Sequence, residues 1–291
     1  MSSVGRQTIL ILAVVAAWGA GWGCHELRGQ DSVYIGEDIS QCTRLQGEVL
    51  EYNGRELTLK IPSGAERTFP SARVLKIERG KNADEAAADA KFAAGDWKGA
   101  LTGYLQASAR EPRRWVRREM LAQMVWCHRY LDQDDQAAQL FLALLADDPQ
   151  TPYFDCIPLA WIAREPSPAL LERAKQWLQN GTSTAAVLGA SFLLPTPLRN
   201  EAIGRLNQLK LDSDPRVAAL ALAQLWRVET NLSEAKVADW ERDLAKMPEG
   251  LRGGAYYVLG GAQARLLQHE PAALSYLRVP VLYPRERRLA A

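Results

Sequence analysis

The chain has 291 residues, of which 47% are hydrophobic and 24% are charged, values typical of a globular protein with a sizeable core. Its 35 basic and 34 acidic side chains leave a formal net charge of +1 and are spread evenly along the sequence. Nucleic-acid binding depends on a concentrated basic field. The composition therefore disfavours nucleic acid as a partner.

The amino-terminal segment predicts export. Arg6 precedes an uncharged, mostly apolar run over residues 8–23, and small and polar residues follow. This order is typical of a secretory signal peptide. Two alternatives stay open: an uncleaved membrane anchor, since the run is just short of the usual transmembrane length, and a lipoprotein modified at Cys24. We therefore expect residues 1–29 to be a signal peptide or membrane anchor and the remainder to be periplasmic or extracellular.

Three cysteines remain beyond that leader: Cys42, Cys127 and Cys156. An odd number cannot all pair within the chain. Cys127 and Cys156 both lie in apolar helical surroundings, where an unpaired cysteine behaves as a small apolar side chain. We expect buried free thiols, with one disulfide between these two as the alternative.

Residues 31–80 predict a small β module. Five short runs alternate in polarity and are rich in β-branched or aromatic residues: SVYIG, RLQGEVLEY, ELTLKI, ERTFP and RVLKIE. Asn53-Gly54 between two of them is a strong signal for a tight hairpin, and Pro70-Ser71-Ala72 indicates one helical turn before the last strand. Five strands in this arrangement resemble an SH3-like or Sm-like barrel, which we expect to dock on or cap the neighbouring domain.

Residues 83–291 predict a helical repeat. An alanine, an aromatic residue four positions on and a proline twelve residues after the alanine recur three times: Ala100/Tyr104/Pro112, Ala137/Phe141/Pro149 and Ala272/Tyr276/Pro284. Positions i and i+4 share one helix face, so the small alanine lets a neighbouring helix approach beside the ring. The proline ends the helix because it lacks an N–H and clashes with the preceding turn.

This pattern resembles the tetratricopeptide repeat. In the last copy, Tyr256, Leu259 and Gly260 stand where the family's first helix carries an aromatic residue, leucine and glycine. Asp214-Pro215 before an alanine- and leucine-rich stretch is similar to a HEAT-repeat helix, so the middle section resembles HEAT packing. The predicted fold class is mainly α: an α-solenoid of about six stacked helical hairpins over residues 83–291, preceded by a small all-β, SH3-like barrel over residues 31–80.

Closely spaced prolines interrupt the chain after the second copy of the motif. Between them the sequence predicts two short helices, over about residues 154–165 and 167–179. In the second hairpin, Asp134 or Asp135 is predicted to cap the returning helix.

Motifs for catalysis or metal binding are absent from the sequence. It contains no H-E-x-x-H, G-x-S-x-G or G-x-x-x-x-G-K-[ST] pattern. The histidines, His25, His128 and His269, stand far apart, and no two cysteines have zinc-site spacing. We therefore expect a protein that is not an enzyme and that has no cofactor, no metal and no small-molecule substrate.

The repeat resemblance also implies a binding surface, because tetratricopeptide arrays usually bind partners on the concave face formed by their first helices. Carried over by position, this face includes Glu119, Trp126, Arg129 and Tyr130 in the second copy and Tyr257 and Arg265 in the last. Exposed Trp, Tyr and Arg side chains are enriched in binding hot spots. The alternative is that Trp126 and Tyr257 only pack between helices.

The densest charge feature is a run of five arginines, Arg110, Arg113, Arg114, Arg117 and Arg118. Arg114 and Arg118 are an i, i+4 pair on one helix face. Such a stripe can clamp an acidic peptide or a carboxylate, because guanidinium groups donate hydrogen bonds in pairs. The alternative is a solvated face balanced by neighbouring acidic residues.

These observations predict an exported, non-catalytic scaffold or adaptor that binds protein or peptide partners through its helical-repeat surface. The alternative is a structural subunit of a larger cell-envelope assembly. A peptide receptor should expose a continuous aromatic and basic groove, whereas a structural subunit should expose apolar patches at the ends of the solenoid.

The repeat motif makes a first prediction. Ala100→Leu and Ala272→Leu should each lower the free energy of unfolding by about 1–3 kcal/mol, because a larger side chain overpacks the contact between paired helices. Thermal and urea denaturation measure the effect. Unchanged stability in both variants would contradict the repeat assignment.

Overall fold

The computed structural model of the protein describes residues 30–289, so the predicted signal peptide or anchor over residues 1–29 lies outside the described residues. Five strands come first: β1 (Asp31–Ile35), β2 (Thr43–Tyr52), β3 (Glu56–Lys60), β4 (Glu66–Pro70) and β5 (Val74–Glu78). Within this range eleven helices follow: α1 (Ala83–Ala94), α2 (Trp97–Arg110), α3 (Arg114–Tyr130), α4 (Asp134–Asp147), α5 (Pro168–Asn180), α6 (Ser183–Leu193), α7 (Arg199–Leu209), α8 (Pro215–Trp226), α9 (Glu234–Lys246), α10 (Arg252–Arg265) and α11 (His269–Leu282). The fold is mainly α with a small antiparallel β part, as predicted.

The five strands form one antiparallel sheet in the order β4-β3-β2-β1-β5. The chain meanders from β1 to β4, and β5 then returns to pair with the other edge of β1. A short 3-10 turn at Ser71–Arg73 leads into β5, where the sequence predicts a helical turn. Strands β4 and β5 are the two edges of an open sheet, and among the described strands no ladder between them closes it into a barrel.

The sheet and the first helices share one hydrophobic core. Val33, Val49 and Leu57 of the sheet belong to the same buried cluster as Tyr104 and Trp115 of the helices. The indole N–H of Trp115 donates to the carbonyl of Val49 at 3.1 Å. The β part is therefore packed directly onto the beginning of the helical array.

The repeat motif falls on the second helices of three hairpins. Ala100 and Tyr104 are buried on α2, and Ala137 and Phe141 are buried on α4. On α11, Ala272 is buried against α10, whereas the ring of Tyr276 is partly exposed. The hairpins α1–α2, α3–α4, α5–α6 and α10–α11 pack as antiparallel pairs of sequence neighbours. The structure thus confirms paired helices in an array.

Side-chain caps are present at the starts of α1 and α8, and the cap predicted for α4 is absent. Asn82 caps α1 by accepting a hydrogen bond from the backbone N–H of Glu85 at 2.8 Å. Asp214 caps α8 in the same manner, with a proline in the first turn. The predicted cap of α4 is wrong: Gln133 occupies the N-cap, and Asp134 lies in the first turn. A carboxylate there is still favourable beside the positive end of the helix dipole.

The predicted helix over residues 154–165 is also wrong. Only Phe154–Cys156 forms a short 3-10 turn, and residues 157–166 are irregular. The physical reason is Pro158, which removes a backbone donor and disfavours helical geometry at the residue before it. The segment is nevertheless well packed, because Trp161 contacts Gly254 of α10 so closely that a Cβ there would lie 1.9 Å from the indole.

Cys127 and Cys156 are buried free thiols, as expected. Burial raises the pKa of the Cys127 thiol to about 12 and raises that of Cys156 well above its usual value. Both side chains therefore act as small apolar core groups at neutral pH.

The Asn53-Gly54 turn joins β2 and β3 and also contacts the helical part. Asn53 donates its backbone N–H to the carbonyl of Glu56 at 3.0 Å, and Gly54 donates to a carboxylate oxygen of Asp148 at 2.9 Å. A Cβ on Gly54 would lie 1.8 Å from the carbonyl oxygen of Gln150. Glycine is thus required here by a close approach of two backbones.

Gly54→Ala should lower the free energy of unfolding by about 1–3 kcal/mol, because either the turn or the loop after α4 must move to admit the methyl group. Urea denaturation followed by circular dichroism measures the change. Gly80→Ala is the matched control, since a Cβ there meets nothing within 4 Å. Equal stability of the two variants would contradict the proposed close contact.

Candidate functional site

The arginine pair Arg114 and Arg118 on α3 is neutralised by acidic side chains of the protein itself. Arg118 is buried and bonds to Glu51 of β2, and its Nη1 lies 3.2 Å from Asp148. Arg114 is exposed and pairs with Asp147 at the end of α4, where it holds the pKa of that carboxyl below its usual value. These arginines join the sheet, α3 and α4 to one another.

Glu119 lies in the same junction. It accepts a hydrogen bond at 2.9 Å from Arg79, the residue that links the sheet to α1. Arg79 also pairs with Glu85, and the side chains of both are almost fully buried. Together with the hydrogen bond from Trp115 to Val49, these contacts hold the sheet against this face of α3.

Trp126, Arg129 and Tyr130, which the repeat resemblance places on a binding face, lie together near the end of α3. The guanidinium carbon of Arg129 lies 4.0 Å from the ring centroid of Trp126. Its Nη2 donates to Glu286 at 2.7 Å, and the hydroxyl of Tyr130 donates to the carbonyl of Arg285 at 2.8 Å. The carboxy-terminal segment, residues 285–289, therefore occupies this predicted binding surface.

Two further arginines fasten the carboxy-terminal segment. Arg288 lies 2.7 Å from Asp134 and 3.0 Å from Asp132, at the start of α4. The guanidinium of Arg287 sits over the ring of Trp97, 5.3 Å from its centroid. The surface of the second hairpin is thus covered by the protein's own chain and is not an open aromatic groove.

Tyr257 and Arg265, the predicted residues of the last hairpin, line a cavity of about 310 Å³. We call it the arginine cavity, because Arg199 and Arg227 line it beside Arg265. No aspartate or glutamate is among its lining residues. Its lining therefore carries three formal positive charges and no negative one.

Neutral acceptors hold the three guanidinium groups of the arginine cavity. The recorded carbonyl contacts are Arg199 to Val228 at 3.3 Å, Arg227 to Ser191 at 3.0 Å and Arg265 to Glu229 at 3.3 Å. The carboxylate of Glu229 is itself bonded to Lys236, which lowers its pKa. Within residues 30–289 none of the three arginines has a carboxylate partner.

Aromatic side chains form the other walls of the arginine cavity: Trp161, Trp226, Tyr257 and Tyr276. Tyr257 and Tyr276 meet edge to face with ring centroids 5.8 Å apart. Trp226 stacks on Trp240 at 5.0 Å. The indole nitrogen of Trp226 is buried and has no hydrogen-bond partner in the described part of the chain.

Sequence reasoning missed Arg199, Arg227 and Trp226. They lie in the middle section, where the repeat motif gives no positional guide to a surface. Arg199 begins α7, and Arg227 follows directly after α8. No spacing in the sequence connects these residues with Tyr257, so only the tertiary packing brings them together.

A larger cavity of about 610 Å³ lies beside the carboxy-terminal segment. Four of its five acidic side chains are paired with arginines: Asp132 and Asp134 with Arg288, Asp135 with Arg173, and Glu286 with Arg129. The fifth, Glu165, is exposed. Because most of these charges are compensated within the protein, this cavity makes a weaker candidate for a ligand site than the arginine cavity.

Helix α11 is apolar on two opposite faces. Ala272, Ser275 and Val279 are buried against the array. Leu274, Leu277 and Val281, each two positions further along, are exposed, with 57% of Leu277 and 71% of Val281 accessible. We call these three residues the outer face of α11. Among the described residues, six of the eleven exposed large hydrophobic side chains lie between residues 267 and 282.

Two general features of the described residues bear on function. Within residues 30–289, no group of three His, Cys, Asp or Glu side chains has an arrangement that could hold a metal ion. In the same range, no helix combines the length and apolar character needed to span a bilayer.

Comparison with protein-family models, with curated proteins and with solved structures finds no match to this chain. The fold alone defines its class, a mainly α protein of paired helices with a small antiparallel sheet before them. Any statement about its function rests on the surfaces described above.

The pair Arg129–Glu286 makes a testable prediction. Glu286→Gln should lower the free energy of unfolding by about 2–4 kcal/mol, because it leaves the buried guanidinium of Arg129 without a counter-ion. Urea denaturation measures the loss. Glu270→Gln, an exposed position in the first turn of α11, should lower the free energy of unfolding by no more than about 1 kcal/mol, the scale of one favourable charge at a helix start. A stable Glu286→Gln variant would show that the carboxy-terminal segment is not held by this pair.

Proposed function

We propose that the protein is an exported, non-catalytic adaptor that binds another protein through its helical-repeat surface, at the outer face of α11. The observation that carries the proposal is the exposed apolar stripe of Leu274, Leu277 and Val281. A helix that is apolar on all sides is normally buried, and contiguous exposed apolar patches mark sites of interaction. A partner covering this stripe would remove it from water.

The proposal includes the finer architecture. The small, aromatic and proline positions lie on the second helices of three hairpins, which supports a tetratricopeptide-type array. The strand order β4-β3-β2-β1-β5, with a short 3-10 turn before β5, supports an SH3-like arrangement of the sheet. In this proposal the sheet caps the start of the array, since both share one core.

The charge beside the outer face of α11 indicates the chemistry of its partner. Arg278 follows Leu277 directly and is exposed. The exposed acidic residue of α11, Glu270, lies in the first turn of the helix, away from Leu277. An amphipathic segment with apolar residues and a flanking carboxylate would match both the stripe and Arg278.

A second copy of this chain fits the outer face less well. The stripe is centred near Leu277, so a two-fold pairing would place the same patch of both copies face to face. The two Arg278 side chains would then approach each other, and like charges in an interface cost free energy. We therefore commit to a different protein as the partner.

The alternative function is a structural subunit of a larger cell-envelope assembly. The same observation favours it, because a structural subunit is expected to expose apolar patches at the end of an array. The two functions differ in permanence: an obligate interface is large and apolar, whereas an adaptor's interface forms and separates reversibly.

Photo-crosslinking tests the proposed surface. A photoreactive residue replaces Leu277 in the full chain in its host, and Leu211, which is 81% exposed and lies elsewhere, provides the matched control position. We expect one discrete heterologous crosslink at position 277 and none at 211. A crosslink between two copies, or equal crosslinking at both positions, would refute the proposal.

The crosslinked partner is then purified and its affinity measured. Leu277→Asp and Arg278→Glu should each weaken binding at least about tenfold, because they place negative charge against an apolar and acidic segment. Leu211→Asp should leave the affinity unchanged. Recovery of free protein and free partner on dilution would identify an adaptor, and a complex that never separates would identify the structural subunit.

A further inference from the structure

We propose that the arginine cavity binds a small organic anion, with its oxyanion held by Arg199, Arg227 and Arg265 and its flat apolar body against the aromatic walls. This site is separate from the outer face of α11 and goes beyond the proposed protein binding. It also differs from the sequence-based expectation of no small-molecule ligand.

The first argument is uncompensated charge. Three guanidinium groups line one cavity whose lining contains no carboxylate. The most deeply buried arginine side chains of the protein are ion-paired: Arg79 with Glu85, Arg118 with Asp148 and Arg129 with Glu286. A concave site with one sign of charge concentrates the field and attracts the opposite charge. The missing partner of this cluster is therefore an anion.

The second argument concerns Arg227, the least exposed of the three arginines. Its recorded side-chain hydrogen bonds both come from Nη1, to Ser191 and Gln224, so Nε and Nη2 have no acceptor in residues 30–289. Burial lowers the pKa of Arg227 to about 10, and no neighbouring carboxylate opposes this effect. An oxyanion in the cavity would accept the unused donors and offset the cost of desolvation.

The third argument is the apolar part of the lining. Trp161, Trp226, Tyr257 and Tyr276 present ring surfaces to the cavity, and flat apolar groups pack well against such rings. The indole nitrogen of Trp226 has almost no accessible surface, so a ligand in the cavity would contact the ring of Trp226 and not its N–H.

The volume limits the size of the ligand. A cavity of about 310 Å³ is at the lower end of the range for small-molecule sites. This volume accommodates a ligand that carries one acidic head group on a ring system. It is too small for a folded segment of a partner protein. Carboxylate and phosphate head groups share the planar, paired recognition that guanidinium provides.

Isothermal titration calorimetry with the intact protein tests the site. The probes are naphthalene-2-carboxylate, its neutral carboxamide, naphthyl phosphate and inorganic phosphate. We expect saturable binding of an aryl anion and at least tenfold weaker binding of the carboxamide, because only the anion pairs with the arginines. The affinity should fall as salt is added, since the arginines are partly exposed.

The variants Arg199→Gln and Arg265→Gln remove exposed charges and should leave the fold intact. Each should weaken binding of the aryl anion about three- to tenfold, and the double variant more than tenfold. Arg242→Gln is the matched control: it removes an exposed arginine of α9 outside the cavity and should change nothing. Thermal denaturation of every variant excludes an effect through unfolding.

Several outcomes would overturn the proposal. Equal binding of the carboxamide would mean a purely apolar contact, and equal binding of inorganic phosphate would mean a simple ion site. Unchanged affinity in the double variant, an equal loss in Arg242→Gln, or the absence of saturable binding by any probe would also refute it. A tenfold preference between the two aryl anions would support the proposal and assign the head group.

Discussion

The ion pair between Arg129 and Glu286 is the contact that holds residues 285–289 against the second hairpin and so decides which surfaces of the helical array stay open. It joins the second hairpin to the end of the described chain, across 157 positions of sequence. Arg129 stacks on Trp126 while it binds Glu286, so the same arginine is both shielded from water and neutralised. Removing either partner would leave a buried charge uncompensated, which costs far more than the intact pair contributes.

The predicted binding residues of α3 divide into two groups according to the part of the protein that they contact. Arg114, Arg118 and Glu119 hold the sheet, and Trp126, Arg129 and Tyr130 hold the carboxy-terminal segment. These side chains have the chemistry of hot spots, but the protein uses them on itself. Tyr257 and Arg265 remain at an accessible cavity, and the exposed apolar residues are concentrated on α11. Function is therefore proposed for the last hairpin, not for the second.

Different interactions would drive binding at the two proposed sites. The outer face of α11 offers apolar area on a helix that is already buried on its opposite side, so burial from water would drive a partner's binding. The arginine cavity carries positive charge without a counter-ion, so attraction between its arginines and an anion would drive ligand binding there. Because the two surfaces share no residue, their tests are independent, and failure of one leaves the other standing.

Local periodicity in the sequence determined the elements: five alternating strands, the Asn53-Gly54 turn and the hairpins marked by alanine, an aromatic residue and proline. These signals are local because they arise from backbone geometry and from contacts one helical turn apart. Only the tertiary structure decided that residues 285–289 return to Trp126 and that Arg199, Arg227 and Arg265 meet. Such contacts join residues far apart in sequence, where no spacing rule applies, and they depend on packing volume and charge balance across the whole chain.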